Sequence, residues 1–262
     1  FGAGALKVTP GHDENDYAIG KRHDLETVSL MNLDGTLNEE GGPYAGLDRF
    51  EARTRIVADL EASGQLVKVE DYPHTVPVSS RSKAIIEPLL SPQWYVAMEP
   101  LAEKALAVVE DGTVTFHPAR WANEYRRWLE DIRDWPISRQ LWWGHRIPVW
   151  YPVDAETGER DEAAFVVSVD SPGEGYVQDE DVLDTWFSSW LWPFATLGWP
   201  EQTDALKAFY PGSVLVSGYD ILFFWIARMI MAGTHFLDEV PYTDVFITGM
   251  IKDKQGRWMS KS

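Results

Sequence analysis

The feature that most constrains the fold lies late in the chain. Val214-Leu215-Val216-Ser217 is a short apolar run of the kind that fills a buried parallel strand, and it ends in Gly218-Tyr219-Asp220. Ile221 to Ala232 follows as a helix, and Val245 to Ile247 reads as a second strand. A strand–helix–strand order requires a crossover, right-handed in almost every sheet, and opens a crevice at the carboxyl ends of the strands. Beyond it come Gly249, a polar segment from Lys252 to Arg257, and the terminal Trp258-Met259-Ser260-Lys261-Ser262. A basic, hydroxyl-bearing loop in that position is where open α/β sheets bind phosphates. The sequence stops inside this loop, so a piece of a longer protein is expected.

The 262 residues are 45% hydrophobic, enough for the core of one or two domains. Thirteen Trp supply large, shaped apolar surfaces. The chain has no Cys, which excludes disulfides, thiolate zinc sites and a cysteine nucleophile, and no structural zinc is expected. Such a chain fits a cytoplasmic location. A net charge of −18 argues against non-specific nucleic-acid binding, while a local basic face remains open. The apolar run Ile221–Ala232 contains Arg228 and is too short for a bilayer span of about 20 residues, so no membrane role is expected.

Residues 1–70 open with Gly2 to Pro10, whose alternation predicts a strand with Lys7 and Thr9 on one face. Asp13 precedes a helix start, with Asp16 in the first turn. Two readings of Asp13 stand: an N-cap, or one wall of a polar pocket in which Lys7, Thr9, Asp13 and Asp16 converge on an amine and hydroxyls. Thr27–Met31 and Leu66–Val69 are predicted strands, and Asp48 caps a helix running to Leu60. Residues 71–132 form a connector: short strands at Ile85–Pro88 and Gln93–Val96, a helix from Leu101, a strand at Val114–His117 and a helix over Trp121–Ile132. Residues 133–262 hold the strand–helix–strand unit, with a polar insertion or hairpin near 152–178. Within them, Asp181–Ser189 mixes carboxylates with aromatics in a way core packing alone seldom needs.

The stretches Trp135–Tyr151, Asp181–Ser189, Val214–Met231 and Trp258–Ser262, in that order, resemble the class I aminoacyl-tRNA synthetases, most closely their valine-specific members. Trp258-Met259-Ser260-Lys261-Ser262 is similar to that family's KMSKS loop, and Gly2–Tyr17 resembles the core of its inserted editing domain. The resemblance implies an α/β fold: the second half of a Rossmann-type catalytic domain plus the C-terminal part of a β-rich editing domain. It implies an ATP-dependent ligase, with ATP and Mg2+ as a substrate complex, acting on valine and tRNA(Val), monomeric when complete. The alternatives are a free-standing editing hydrolase and a non-catalytic binding module derived from a synthetase. Two departures stand out. No HIGH motif is found, so it should lie upstream of Phe1. Trp258 also replaces the loop's first Lys, which removes one cation, and Arg257 beside it is the basic group able to substitute.

Residue roles follow from the resemblance. Lys261, with Ser260, would stabilise the departing pyrophosphate. Gly218 and Asp220 would seat the ribose, and Met250 and Ile251 would offer backbone groups to adenine. Trp186, Ile221 and Trp225 would wall the valine pocket; Ile221 and Trp225, four apart, share a face if the helix is regular. A bulky apolar wall excludes isoleucine but not threonine, which is nearly isosteric with valine. Binding alone gives about 10²-fold discrimination there, a figure for which the valine-specific enzyme is itself the standard worked example. A second, hydrolytic site lined by Lys7, Thr9, Asp13 and Asp16 is therefore expected.

Overall fold

The structure is a computed structural model that describes residues 4–80 and 82–259. It divides into two compact units, residues 1–92 and 93–262, each described by itself. The segment expected as a connector, 71–132, is split between them at residue 92.

The first unit holds two α-helices, α1 (Glu14–His23) and α2 (Arg49–Ala62). Asp13 caps α1 by accepting from the Asp16 amide at 2.8 Å, and Asp48 caps α2 by accepting from the Phe50 amide at 2.9 Å. The expected strands at Gly2–Pro10, Thr27–Met31 and Leu66–Val69 do not form among the described residues; only isolated bridges such as Met31–Leu37 and Val78–Ile85 occur. A strand persists only where a neighbour accepts its ladder of hydrogen bonds, and these segments find none. His12 pins the loops instead. Its Nε2 accepts from the Leu30 amide at 2.8 Å, so the ring proton sits on Nδ1, which donates to the Pro88 carbonyl at 3.0 Å. Apolar burial is slight: among the described residues of this unit Ala52 is the buried aliphatic side chain, while Leu6, Val67 and Val69 are more than 70% exposed.

The second unit carries the core. In chain order it contains β1 (Tyr95–Val96), α3 (Glu99–Glu110), β2 (Thr115–His117) and α4 (Arg120–Glu130). These are followed by β3 (Trp135–Pro136), β4 (Ser138–Arg139), β5 (Val149–Pro152), β6 (Val166–Val167), β7 (Tyr176–Gln178) and β8 (Val182–Leu183). Then come α5 (Thr185–Ser189), α6 (Trp192–Ala195), α7 (Asp204–Phe209), β9 (Gly212–Gly218), α8 (Arg228–Phe236) and β10 (Tyr242–Thr248). The main sheet is parallel, in the order β2–β10–β9, with Thr248 opposite Gly218 at its carboxyl end. The expected strand–helix–strand unit is thus present, and β2 extends its sheet.

Two expectations about this unit are corrected. β9 is not buried: Val214 is 54% and Val216 61% exposed, because β9 is an edge strand of the sheet and one face of its pleat is uncovered among the described residues. The helix after β9 is also not regular. Tyr219–Ile221 is a 3-10 turn and Leu222–Ala227 a π-turn, and only then does α8 begin. Ile221 ends the 3-10 turn and Trp225 lies in the π-turn, so the four-residue spacing of a regular α-helix does not relate them. The polar insertion is more than a hairpin: β6, β5 and β7 form a three-stranded antiparallel sheet.

Phe194, Ile226, Met229, Ile230, Met231 and Val245 are fully buried at the centre of this core. Phe194 meets Trp199 and Tyr210 edge-on, with ring centroids 5.2 and 5.9 Å away. Replacing it by Ala leaves a large void among rings that cannot collapse inward. Phe194→Ala is expected to destabilise the second unit by about 3–5 kcal/mol, measured by denaturant unfolding followed by Trp fluorescence.

Candidate functional site

The carboxyl ends of β9 and β10 bring three of the expected nucleotide residues together. A Cβ at Gly218 would lie 2.5 Å from Asp220 Oδ1 and 3.4 Å from Met250 Sδ, so the glycine lets both side chains lie close over the backbone here. Asp220 is exposed, and among the described residues its carboxylate accepts no hydrogen bond, so it stands free to accept one from a ligand. Tyr219 lies between them. Its ring stacks on Trp121 of α4 at 5.4 Å and 10° and meets the edge of Trp258 at 6.0 Å.

Beyond β10, residues 251–259 fold back as a tight hairpin. The Met259 amide donates to the Ile251 carbonyl at 3.0 Å and the Asp253 amide to the Arg257 carbonyl at 2.8 Å, with Lys252 bridged to Trp258. Gly256 closes the turn at φ +78°, a conformation side chains rarely tolerate. The Ile251 carbonyl is therefore engaged, and its side chain is 72% exposed. Arg257 is engaged as well: its Nε lies 2.7 Å from Asp253 Oδ2. The Arg257 amide and side chain hold the Asp253 carboxyl below its ordinary value. Ser260 and Lys261 lie outside the described residues.

The residues expected to wall an amino-acid pocket sit on α5 and the π-turn. Trp186 stacks on Phe224 with centroids 5.9 Å apart. Trp225 donates its indole N–H to the Ser189 carbonyl at 3.0 Å and meets Trp192 at 6.1 Å. Trp186 and Trp225 thus make separate contacts, one through Phe224 and the other through Ser189 and Trp192, that join the π-turn to α5 and α6. Ile221 is half-buried just before the π-turn.

Asp184 holds α5 in place, a role hidden in the sequence. Its Oδ2 accepts from Trp135 Nε1 and from Arg139 Nη2, each at 2.9 Å, and Oδ1 faces the Trp186 amide at 3.4 Å. Arg228 Nη1 lies 3.9 Å from the same oxygen, and its guanidinium covers the Trp135 ring at 3.5 Å. Burial lowers the Arg228 pKa to about 10, against the pull of Asp184, so it stays charged at neutral pH. Asp181 accepts from Gln140 Nε2 at 2.7 Å. The carboxylates of the 181–189 stretch therefore serve the architecture of the pocket.

In the first unit, Lys7, Thr9, Asp13 and Asp16 do meet. Asp16 Oδ2 accepts from the Thr9 amide at 2.7 Å and the Thr9 hydroxyl at 3.1 Å, Lys7 Nζ donates to that hydroxyl at 3.3 Å, and Asp13 caps the helix that carries Asp16. Asp13 is accounted for as an N-cap. The Thr9 amide, then its hydroxyl and the Lys7 charge, hold the Asp16 carboxyl below its ordinary value.

The sequence places this arrangement in a family. The model for class I tRNA synthetases (I, L, M and V) matches residues 21–262. The chain belongs to that family. It is 54% identical to the valine–tRNA ligase of Thermosynechococcus vestitus over 276 aligned residues, covering all of this chain and 30% of that protein. The valine–tRNA ligases of Clostridium tetani and Thermotoga maritima are 56% and 53% identical, again over all of this chain and 30% of each relative. The chain thus spans about 30% of the length of the curated relatives it matches. Among the described residues no helix is long and apolar enough to cross a membrane. Tyr219 and Lys252 were given no role by the sequence, and Asp184 was singled out only within the Asp181–Ser189 stretch. The first two carry a signal, a ring between Gly218 and Asp220 and a Lys facing Trp258 across an Asp-x-x-Gly turn.

Two outcomes are expected. Asp184→Ala strips three donors of a shared buried acceptor and should cost about 3–5 kcal/mol in denaturant unfolding. The Asp16 pKa is lowered by folding, so its stabilising contribution is present above the ordinary carboxylate range and is lost as pH falls through the folded value. A carboxyl titration by NMR should show Asp16 titrating below the ordinary Asp range, and Thr9→Val, which removes the hydroxyl but keeps the amide, should move it part of the way back up.

Proposed function

We propose that this chain is the part of a valine–tRNA ligase that seats ATP and valine. The observation that carries the reading is the convergence of Gly218, Asp220 and Met250 at the carboxyl ends of two parallel strands, with Trp225 on the π-turn that follows the first of them and bonded to α5, which carries Trp186. Ribose hydroxyls would donate to Asp220, and the close approach over Gly218 would let the nucleotide lie against the backbone. The valine side chain would pack against Trp186, Ile221 and Trp225. In the first step, a valine carboxylate oxygen attacks the α-phosphorus of ATP. The bond to the bridging oxygen breaks, its electron pair leaves with pyrophosphate, and valyl-adenylate remains. A tRNA(Val) ribose hydroxyl then attacks the adenylate carbonyl and releases AMP. Lys261 would stabilise the pyrophosphate charge as it develops, which favours the transition state over the ground state; one such well-placed donor is typically worth about 3–4 kcal/mol. Mg2+ arrives with ATP as part of the substrate.

A valine-shaped pocket admits threonine, so an editing step is part of the same proposal. The Lys7–Thr9–Asp16 cluster supports it: a carboxylate and two donors within one hydrogen-bonded group, able to bind the amino group and hydroxyl of a threonyl ester. No side chain there is placed as a nucleophile, so water would attack the ester carbonyl and the tRNA hydroxyl would leave.

ATP–pyrophosphate exchange by the full-length gene product tests the first claim. Exchange should depend on valine, with isoleucine and leucine at least about a hundredfold poorer in kcat/KM. Equal exchange with all three would refute the Trp186–Ile221–Trp225 pocket. Hydrolysis of threonyl-tRNA should be lost in Asp16→Ala while valine exchange is retained; hydrolysis unaffected by that change would remove the editing assignment.

A further inference from the structure

The sequence departs from its family's loop pattern at Trp258, where a lysine is expected, and the structure shows what that ring touches. One edge meets Tyr219, the residue between Gly218 and Asp220, at 6.0 Å, and Lys252 Nζ lies over the ring 4.2 Å from its centroid. Tyr219 in turn stacks on Trp121. Trp121, Tyr219, Trp258 and Lys252 form one continuous chain of ring contacts from α4 to the hairpin. We infer that Trp258 is a positioning residue that docks the 251–259 hairpin on the nucleotide seat and holds Lys252 there as the cation facing the ATP phosphates. This rests on the ATP-seating role proposed above.

The other basic groups of the hairpin are poorer candidates. The Arg257 guanidinium is bound to Asp253 at 2.7 Å, which neutralises it locally. Lys254 lies in the turn, at the far end of the hairpin from the bridge that joins Lys252 to Trp258. Arg120 covers Trp121 at the α4 end at 5.5 Å, and among the described basic groups of the hairpin Lys252 is the one that lies over a ring of this chain of contacts. An indole face is the best neutral partner for an ammonium, and an exposed contact of this kind biases side-chain position about two- to fivefold. It does so without neutralising the charge, unlike a carboxylate partner. As the α-phosphorus–oxygen bond breaks and its electron pair passes to pyrophosphate, a held ammonium at this place lowers the cost of the new charge.

The test uses the full-length gene product. Lys252→Met should lower valine-dependent exchange at least tenfold, with the valine KM unchanged. Trp258→Lys restores a cation at the loop position, so adding Lys252→Met in that background should cost no more than about twofold. Equal losses in both backgrounds, or a Lys252→Met enzyme within twofold of the parent, would overturn the assignment. Docking is read separately by trypsin cleavage after Lys254 and Arg257. Tyr219→Leu and Trp258→Ala should speed it severalfold, and MgATP should protect the parent but not Lys252→Met. Unchanged cleavage in both ring variants would overturn the docking. If the parent shows no valine-dependent exchange, the ligase reading fails, while the proteolysis and its MgATP protection still decide the role of Trp258 and Lys252.

Discussion

One buried carboxylate holds the second unit's working surfaces in register. Asp184 accepts hydrogen bonds from Trp135 and Arg139 of one stretch of chain and faces the Arg228 charge of another at 3.9 Å, and its own backbone amide donates to the Ile137 carbonyl at 2.8 Å. A buried charge is tolerable only when it is paired and hydrogen-bonded, so each partner is committed to that place. Two consequences follow. Helix α5 starts where Asp184 stands, which fixes Trp186. Arg228 is anchored at the start of α8, which fixes the end of the π-turn and with it Trp225. The aromatic wall is thus held from both sides by one acceptor. Tyr242 adds a third tie, its hydroxyl donating to the Ile226 carbonyl at 2.8 Å and linking β10 to the same turn.

The nucleotide seat depends on a different constraint, the absence of a Cβ. At Gly218 the backbone is ordinary, and a larger residue would have to displace the Asp220 carboxylate that now lies against it. The register of β9 with β10 brings those residues together, since Thr248 opposite Gly218 sets Met250 two residues beyond the paired end. The Tyr219 ring then offers a platform to which the hairpin can return. The seat, the wall and the hairpin are contiguous because one short irregular helix follows one strand.

The first unit is built by another logic. Its order comes from helix caps, the two-ended His12 contact and the Asp16–Thr9 bonds rather than from a core. Polar networks of this kind set local geometry well, but they contribute little cohesion where water competes for every group. A cluster such as Lys7–Thr9–Asp16 can therefore be well formed although little apolar surface is buried around it.

Local rules made much of this legible. The caps at Asp13 and Asp48, the helices at 99–110 and 120–130, and the β9–helix–β10 order follow from short-range patterns, which is where sequence is most informative. The family was readable from motifs in their order along the chain. Strands in the first unit were not, because a strand exists only through its neighbour and alternation does not say whether one is present. The π-turn was hidden for a similar reason: its apolar residues suit an α-helix equally, and the Tyr242 hydroxyl that bonds the Ile226 carbonyl within it comes from a distant strand. The Lys252–Trp258 pair needed the hairpin to fold before a gap in a motif became a contact. By itself, then, the sequence determined the family, the parallel β-α-β unit and the identities of the residues at its end. Tertiary structure alone decided which carboxylate is architectural, which aromatic rings face each other and which cation the loop holds, because those depend on distances between segments that no local pattern encodes.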